Sequence, residues 1–95
     1  MSYKLEFFSD AWKEWENLDA TLKAQFKKKL HERLENPHVE SAQLRHMTNC
    51  YKIKLRRSGY RLVYQVEEEN LIVLIIAIGK RDHNKVYDAA AKRLT

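Results

Sequence analysis

The order of apolar and polar residues over the first 36 positions predicts one β-strand followed by two α-helices. Between residues 3 and 8 the two kinds alternate, as in a strand, with apolar side chains at Tyr3, Leu5 and Phe7. Ser9 is the expected N-cap of a short helix, with Asp10 in its first turn and apolar residues at Ala11, Trp15 and Leu18. Asp19 is expected to cap a second helix with an apolar stripe at Leu22, Phe26, Leu30 and Leu34. Asn36 ends this helix because it precedes a proline.

A β-hairpin is predicted after residues 38–50, a stretch without a clear period that we interpret as a connecting loop. From position 51 the period is again two, with one face formed by Tyr51, Ile53 and Leu55 and the other by Lys52, Lys54 and Arg56. Ser58-Gly59 has the composition of a two-residue turn. This turn would pair Arg56 with Arg61, Lys54 with Val63 and Lys52 with Gln65. One face of the hairpin is then apolar, and the other is a basic surface on two rigid strands.

The next strand, from Leu71 to Gly79, is apolar on both faces, so alternation does not fix its register. Two registers remain open. A two-residue loop at Glu68-Glu69 places on the core face Leu71, Val73, Ile75 and Ala77, with Arg81 following them. A three-residue loop with Asn70 in the left-handed conformation instead places on the basic face Ala77, Gly79 and Arg81. We favour the second register, because small residues leave open space beside Arg61 while the core receives Ile72, Leu74, Ile76 and Ile78.

A terminal helix is predicted from about His83 to Leu94, with Asp82 as its cap and an apolar line at Val86, Ala90 and Leu94. The order of elements predicts an α+β fold whose three later strands form an antiparallel meander. We expect one small single domain over residues 1–95: an antiparallel sheet with the two N-terminal helices packed on one face, and a C-terminal helix. A chain of 95 residues has room for one such domain.

Charge and composition narrow the function classes. The chain carries a formal net charge of +5, and residues 51–66 hold no acid but five cations, Lys52, Lys54, Arg56, Arg57 and Arg61. Such a concentration favours a polyanionic partner. The longest apolar run has eight residues, well short of the roughly 20 of a membrane-spanning helix, and no secretory signal is recognisable. A lone Cys50 fits a reducing compartment, so we expect a cytoplasmic protein with no membrane partner.

The candidate site consists of the basic residues of the hairpin and of the segment after the next strand, together with one tyrosine: Lys52, Lys54, Arg56, Arg61, Lys80, Arg81 and Tyr87. Converging cations repel one another unless an anion lies between them, and a phosphate backbone is the natural occupant. RNA can be cleaved without a metal when its 2′-hydroxyl attacks the neighbouring phosphate. That step needs a base, donors for the phosphorane charge and an acid. A lysine among cations can be the base because like charge lowers its pKa, while arginines donate to the phosphate.

A metal or cofactor is not expected. The histidines are scattered, at His31, His38, His46 and His83, and Cys50 has no partner at zinc-ligand spacing. No Gly-rich phosphate loop and no hydrolase signature occur. The run Lys27-Lys28-Lys29 is either a solvated helix face or a contact with a large nucleic-acid scaffold.

The segments Cys50 to Val66, Ile78 to Arg81 and Val86-Tyr87, with Leu44-Arg45 before them, closely resemble the RelE family of bacterial toxins. The resemblance implies a toxin that enters the ribosomal A site, contacts rRNA and cleaves messenger RNA there. It also implies a RelB-type antitoxin that holds the toxin inactive. Through this antitoxin the pair would bind its own operator DNA and repress transcription of the operon.

The resemblance assigns roles to individual residues. Lys52 and Lys54 match the family's catalytic lysines, with Lys54 as the expected general base, although the sequence leaves open which lysine carries the proton. Arg61 matches the transition-state stabiliser, Arg81 the general acid and Tyr87 the aromatic that stacks on the nucleotide. Contacts with RNA or the ribosome are expected at Arg45, Arg56, Lys80, Lys27 and Lys28. Some related toxins use a histidine as the acid, so a contribution from His83 stays open.

Two other functions fit the same pattern. One is a non-catalytic toxin of the same fold, such as a ParE-like gyrase inhibitor, and the other is a basic RNA-binding module. ParE-like proteins typically lack the clustered lysines, arginines and tyrosine. The presence of Lys54, Arg61, Arg81 and Tyr87 together therefore favours the nuclease.

Overall fold

The structure, a computed structural model, describes residues 2–95 apart from the side chain of His83, so the predicted alternative acid lies outside the described side chains. The elements in chain order are β1 (Lys4–Phe7), α1 (Ser9–Glu16), α2 (Ala20–Glu35), a 3-10 turn (Glu40–Ala42), β2 (Cys50–Leu55), β3 (Tyr60–Glu67), β4 (Ile72–Lys80), a second 3-10 turn (Asp82–Asn84) and α3 (Lys85–Leu94). Within residues 2–95, every helix is too short or too polar to cross a membrane.

The strands form one sheet in the order β1-β4-β3-β2. The antiparallel meander of β2, β3 and β4 confirms the prediction. The first strand departs from it, because β1 joins the edge of β4 in parallel, with Lys4 beside Ile72. A parallel neighbour needs a crossover connection, and α1 and α2 are part of the chain that makes it. The fold is therefore α+β, with a sheet that is antiparallel except at one edge.

Helices cover both faces of the sheet. The larger core joins α1 and α2 to one face, through Ala11 and Trp15 of α1 and Phe26 and Leu30 of α2. This confirms the predicted packing of the two N-terminal helices. A smaller core on the opposite face seats α3, and its buried members are Cys50, Val63, Ile76, Ala77, Val86 and Ala90. Burial raises the pKa of Cys50 to about 11, so its thiol stays protonated at neutral pH and packs as a core side chain.

The turn between β2 and β3 is longer than predicted, which moves the pairing by two residues. Lys54 lies opposite Arg61, Lys52 opposite Val63 and Leu55 opposite Tyr60, so the predicted pairing of Arg56 with Arg61 is wrong. A two-residue turn of type I′ requires positive φ at both central positions, and of the Ser58-Gly59 pair Gly59 alone adopts it, at 76°. The chain instead closes a four-residue turn, in which the Gly59 amide donates to the Leu55 carbonyl at 3.0 Å.

The shift by two residues preserves which face each side chain occupies, because the period of a strand is two. Lys52, Lys54 and Arg61 consequently share one face, as predicted. Arg56 leaves the strand and lies in the turn instead.

Strand β4 follows neither predicted register along its whole length. The turn before it has four residues, and Leu71, not Asn70, takes the left-handed conformation at φ 54°. Tyr64 pairs with Ile75 and Val63 with Ala77, so Ile76 is the extra residue of a β-bulge.

Because of the bulge, each of the two predicted registers is correct for one half of β4. Before it, Val73 and Ile75 fill the larger core, while the predicted core residues Ile72 and Leu74 do not belong to that cluster. At the bulge Ile76 turns to the smaller core. After it, Gly79 lies opposite Arg61, as in the favoured register.

Two of the predicted helix caps are wrong and one is confirmed. Asp19 accepts a hydrogen bond from the Leu22 amide at 2.8 Å and caps α2 as predicted. Phe8, not Ser9, is the N-cap of α1. Asp82 opens a 3-10 turn that ends at Asn84, and Asn84, at φ 59°, is the N-cap of α3 instead of Asp82.

A clamp made by Glu14 and Arg93 closes the edge of β4 where β1 ends. Beyond Ile75 the edge of β4 has no strand neighbour. The Ile78 amide donates to Glu14 Oε1 at 3.0 Å, and Arg93 Nη1 donates to the Ile76 carbonyl at 2.8 Å. The two side chains also form a bidentate ion pair, at 2.8 and 2.9 Å. The clamp therefore joins α1, β4 and α3.

Candidate active site

An open cavity of about 330 Å³ lies where the basic face of the hairpin meets the start of α3. Its lining includes all five residues expected to be catalytic, Lys52, Lys54, Arg61, Arg81 and Tyr87, together with Leu44 and Asn84. The fold therefore brings together side chains that are 35 positions apart in the sequence, from Lys52 to Tyr87.

Four of the five side chains expected to be catalytic belong to a strand or a helix, and the fifth directly follows a strand. Lys52 and Lys54 are alternate residues of β2, and Arg61 pairs directly with Lys54. On its other side Arg61 pairs with Gly79, where an added Cβ would lie 3.8 Å from Val86 Cβ of α3. Arg81 follows β4, where its amide donates to the Gly59 carbonyl at 2.9 Å. Tyr87 comes from α3, which the smaller core holds against the sheet.

Arg61 is buried without full hydrogen bonding. The residue is 8% exposed, and its Nη1 donates to the Tyr60 carbonyl at 3.1 Å. Its Nε is buried and lacks a hydrogen-bond partner among the described residues. A buried guanidinium without a counter-charge is costly, because desolvation is not compensated. An anion bound in the cavity would supply the missing acceptor and the missing charge.

The charge of Lys52 is the largest of several causes that lower the pKa of Lys54. Desolvation comes next, followed by the charge of Arg61, a hydrogen bond with Lys52 and the charge of Arg81. Each of these disfavours the ammonium form. The result is a larger fraction of neutral amine at neutral pH, which is the form that accepts a proton.

Two members of the predicted constellation lie outside the cavity. Lys80 pairs with Tyr60, not Arg61, so it occupies the opposite face and stands 5.9 Å from the centre of the Tyr60 ring. Arg56 lines a neighbouring groove with Lys28. The prediction that Lys80 and Arg56 converge on one site with Arg61 is therefore wrong.

The remaining predicted RNA contacts are divided between two sides of the molecule. Arg45 lines a separate pocket that shares Leu44 with the cavity. Lys27 lies on the other side of α2 from Lys28, beside an apolar groove that includes Trp12. Binding roles for Arg45, Arg56, Lys80, Lys27 and Lys28 stay predictions.

Sequence reasoning missed Asn84 and Arg33. Asn84 lines the cavity just before α3, in a left-handed conformation that its sequence neighbours do not indicate. Arg33 donates to the Lys52 carbonyl at 3.1 Å and to the Tyr64 hydroxyl at 2.9 Å, so it fixes β2 beside the cavity. A signal for it existed, because Arg33 follows Phe26 by seven residues and Leu30 by three, which is the spacing of the buried stripe.

The chemistry of the lining suits an anion. Among the described residues, the side chains that line the cavity include no carboxylate, thiol or imidazole. Across residues 2–95, apart from the His83 side chain, His, Cys, Asp and Glu do not gather in groups of three that could hold a metal ion.

Comparison with known proteins finds a matching family model, a sequence relative and a similar solved structure. The family model described as the ParE toxin of the type II toxin-antitoxin system parDE matches residues 5–85. The chain is 53% identical over 94 residues to the mRNA interferase toxin RelE of Escherichia coli strain K12, which covers 99% of each protein. Its structure is similar to that of a double mutant of E. coli toxin RelE in the free state, with a TM-score of 0.92, 52% identity and full coverage of both chains.

A solved complex is also similar. A chain of the intact E. coli RelBE toxin–antitoxin complex matches with a TM-score of 0.82 and 54% identity, covering 83% of this chain and 96% of that one.

Proposed function

This chain belongs to the ParE/RelE family of type II toxin–antitoxin toxins, and from that premise we propose that it is a ribosome-dependent mRNA endoribonuclease. The observation that carries the proposal is the cavity, which gathers Lys52, Lys54, Arg81 and Tyr87 beside Arg61. The buried Nε of Arg61 has no hydrogen-bond partner among the described residues. The E. coli relative that shares 53% of its sequence is named an mRNA interferase. The reaction would take place in the ribosomal A site, in the cytoplasm, and would stop translation and growth.

The cleavage uses the RNA's own nucleophile. Lys54, as the neutral amine, removes the proton from the 2′-hydroxyl, whose oxygen attacks the adjacent phosphorus. The bond from phosphorus to the 5′-oxygen breaks, leaving a 2′,3′-cyclic phosphate on the upstream product. Arg81 donates a proton to the departing oxygen, which becomes a 5′-hydroxyl. The proton taken up by Lys54 returns to solvent or to Arg81, so no other reactant is needed.

Arg61 and Lys52 stabilise the charge that develops on the phosphorane. Fixed donors aimed at developing charge are worth most in a site that excludes water, and Arg61 has the lowest exposure of the cavity's cations. Lys52 has a second effect, because its charge lowers the pKa of Lys54. Tyr87, which lines the cavity from α3, supplies a ring on which a base can stack.

Neutralisation by a partner completes the proposal. A chain similar to this one occurs in a RelBE toxin–antitoxin complex, and we infer that a RelB-type antitoxin binds this toxin as well. Repression of the operon would then pass through the antitoxin's contact with operator DNA.

The decisive experiment incubates the full chain with one messenger RNA, both naked and positioned on ribosomes with an empty A site. Primer extension maps the cut, and the upstream product is tested for a cyclic phosphate. We expect cleavage on the ribosome alone, and its loss in the Arg61→Ala/Arg81→Ala variant. Intact RNA in both reactions, with growth arrest retained by that variant, would replace the nuclease with a non-catalytic toxin of the gyrase-inhibitor type.

A further inference from the structure

Asn84 lines the cavity together with Tyr87 and the cations, yet it takes no part in the cleavage steps. It is the N-cap residue of α3, three positions before Tyr87. The side chain is exposed, and its amide forms no hydrogen bond with the described residues. This amide is therefore free to contact a molecule that enters the cavity.

The backbone of Asn84 is unusual for a helix cap. An asparagine at an N-cap normally has an extended backbone, and its side-chain oxygen accepts a hydrogen bond from one of the first helical amides. Asn84 is instead left-handed, at φ 59° and ψ 23°, and its side chain makes no such bond. A residue other than glycine is uncommon in this conformation, which costs free energy. The side chain of Asn84 is thus not explained by helix capping, and its place in the cavity points to a functional role.

Asn84 differs chemically from the other polar side chains of the cavity. The two lysines and two arginines of the lining donate hydrogen bonds but, as ammonium and guanidinium groups, do not accept them. The hydroxyl of Tyr87 lies in the plane of its ring, so it points away from a base that stacks on the face of the ring. Among the described side chains of the lining, the carbonyl of the Asn84 amide is therefore the acceptor left for such a base.

The four RNA bases differ in what they require from these side chains. Guanine and uracil carry carbonyl oxygens on their pairing edges, and cations can donate to these. Adenine and cytosine carry an exocyclic amino group there instead, and this donor needs an acceptor. An asparagine amide satisfies such an edge, because its carbonyl accepts from the amino group while its NH₂ group donates to the neighbouring ring nitrogen. Without that acceptor the amino group would be left unpaired among cations, at a cost in affinity.

We propose that Asn84 is a specificity-determining residue, which hydrogen-bonds the amino edge of the base stacked on Tyr87 and so admits adenine or cytosine at that position. The inference rests on the proposed function, because it takes RNA as the ligand of the cavity and Tyr87 as the stacking residue. Residues three positions apart at a helix end are neighbours on one face, and both side chains line the cavity. The ring and the amide are therefore close enough to contact the same base.

The test removes the amino group from the RNA and the amide from the protein, separately and together. Messenger RNAs positioned on ribosomes carry, at each position of the A-site codon in turn, adenine or purine, which is adenine without its amino group. Single-turnover cleavage by the full-length protein gives the ratio of the two rates. Asn84→Gly removes the amide and keeps the left-handed backbone, which glycine adopts without strain. The matched control is Asn49→Gly, the same change at an exposed asparagine with φ 58° that does not line the cavity.

For wild type and control we expect adenine to be cleaved on the order of tenfold faster than purine at one position of the codon, as the loss of a single hydrogen bond implies. In Asn84→Gly the two rates at that position should be nearly equal. Cytosine compared with pyrimidin-2-one, which lacks its amino group, shows whether the site admits that base as well. Each ratio is taken within one variant, so a change in overall rate or in stability cancels.

An equal preference for the amino bases in Asn84→Gly and wild type would overturn the inference and leave the nuclease in place, as would a wild type without such a preference at any codon position. If the wild type leaves ribosome-bound messenger RNA intact, the nuclease is overturned, and binding decides the inference instead. Fluorescent 2′-O-methyl trinucleotides, which cannot be cut, are then titrated with the same base replacements. A preference for the amino base that Asn84→Gly alone abolishes would uphold the inference, whereas equal binding or none would overturn it. The two proposals can therefore fail separately.

Discussion

Arg93 and Arg61 are guanidinium groups packed against the same sheet, and their surroundings are opposite in character. Arg93 forms a bidentate pair with Glu14 and donates to the Ile76 carbonyl, and the carboxylate raises its pKa through a hydrogen bond. Arg61 is more deeply buried, faces other cations and has an Nε without a partner among the described residues. The first arrangement stabilises the fold. The second leaves a buried positive charge and a hydrogen-bond donor that a bound anion would compensate.

The largest expected effect is on cleavage, and it follows from removing Arg61. Arg61→Ala should lower cleavage of ribosome-bound messenger RNA by about 10²- to 10³-fold, since a fixed donor to the transition-state charge is lost. Its free energy of unfolding should stay the same or rise, because a buried cation without a partner is removed. Single-turnover cleavage and thermal unfolding measure the two quantities. Near-normal cleavage, or a strong loss of stability, would contradict the comparison.

Removing Arg93, the arginine paired with Glu14, should lower stability and change cleavage little. Arg93→Ala leaves Glu14 without its cation and frees the Ile76 carbonyl, so we expect the free energy of unfolding to fall by about 2 kcal/mol. Cleavage per folded molecule should change less than in Arg61→Ala. Glu14→Ala should cost a similar amount, and a double-mutant cycle measured by urea unfolding should show that the two losses are not additive.

The effect of pH sharpens the role of the like charges around Lys54. A lowered pKa means that the neutral, proton-accepting form appears at lower pH, so the rate should rise with pH through that pKa and then level off. Lys52→Gln removes the largest cause of the shift. The rising limb should consequently move to higher pH, with part of the rate recovered in alkaline buffer. An unchanged pH profile would assign the base to another group.

The smallest effect is expected at the turn that supports Arg81. Gly59 has φ 76°, and no other atom lies within 4 Å of an added Cβ. Gly59→Ala should therefore cost about 1 kcal/mol of stability through backbone strain alone. Thermal unfolding measures it, and Arg57→Ala, at an exposed residue of the same turn that has no positive φ, is the control. A loss well beyond that of a single strained residue would mean that the turn carries more than the Arg81 contact.

The sequence predicted the faces of the sheet better than the pairing of its strands. Alternation assigns each side chain to a face by parity alone, so Lys52, Lys54 and Arg61 were correctly placed together although the predicted pairs were two residues out. The bulge at Ile76 could not be predicted, because β4 is apolar on both sides and a change of face leaves no trace in such a pattern. This bulge sets Gly79 opposite Arg61 in the sheet.

Contacts between distant elements were also beyond the reach of periodicity. The ion pair of Glu14 with Arg93 joins residues 79 positions apart, and neither position differs locally from an ordinary solvated helix face. Sequence order placed Tyr87 near the candidate site, but its spacing in α3 equally fits a residue that packs at the helix edge. Its role as the stacking aromatic therefore came from the family resemblance.

The Glu14–Arg93 clamp also gives the molecule an order of completion during its synthesis. Chains are made from the N-terminus, so Glu14 and all four strands leave the ribosome before Arg93 does. Until α3 follows, the Ile76 carbonyl lacks its contact with Arg93, Glu14 lacks its ion-pair partner, and the cavity lacks Tyr87. The cavity of a nascent chain is thus incomplete until its final helix has been translated, whereas the strands that carry Lys52, Lys54 and Arg61 are synthesised earlier.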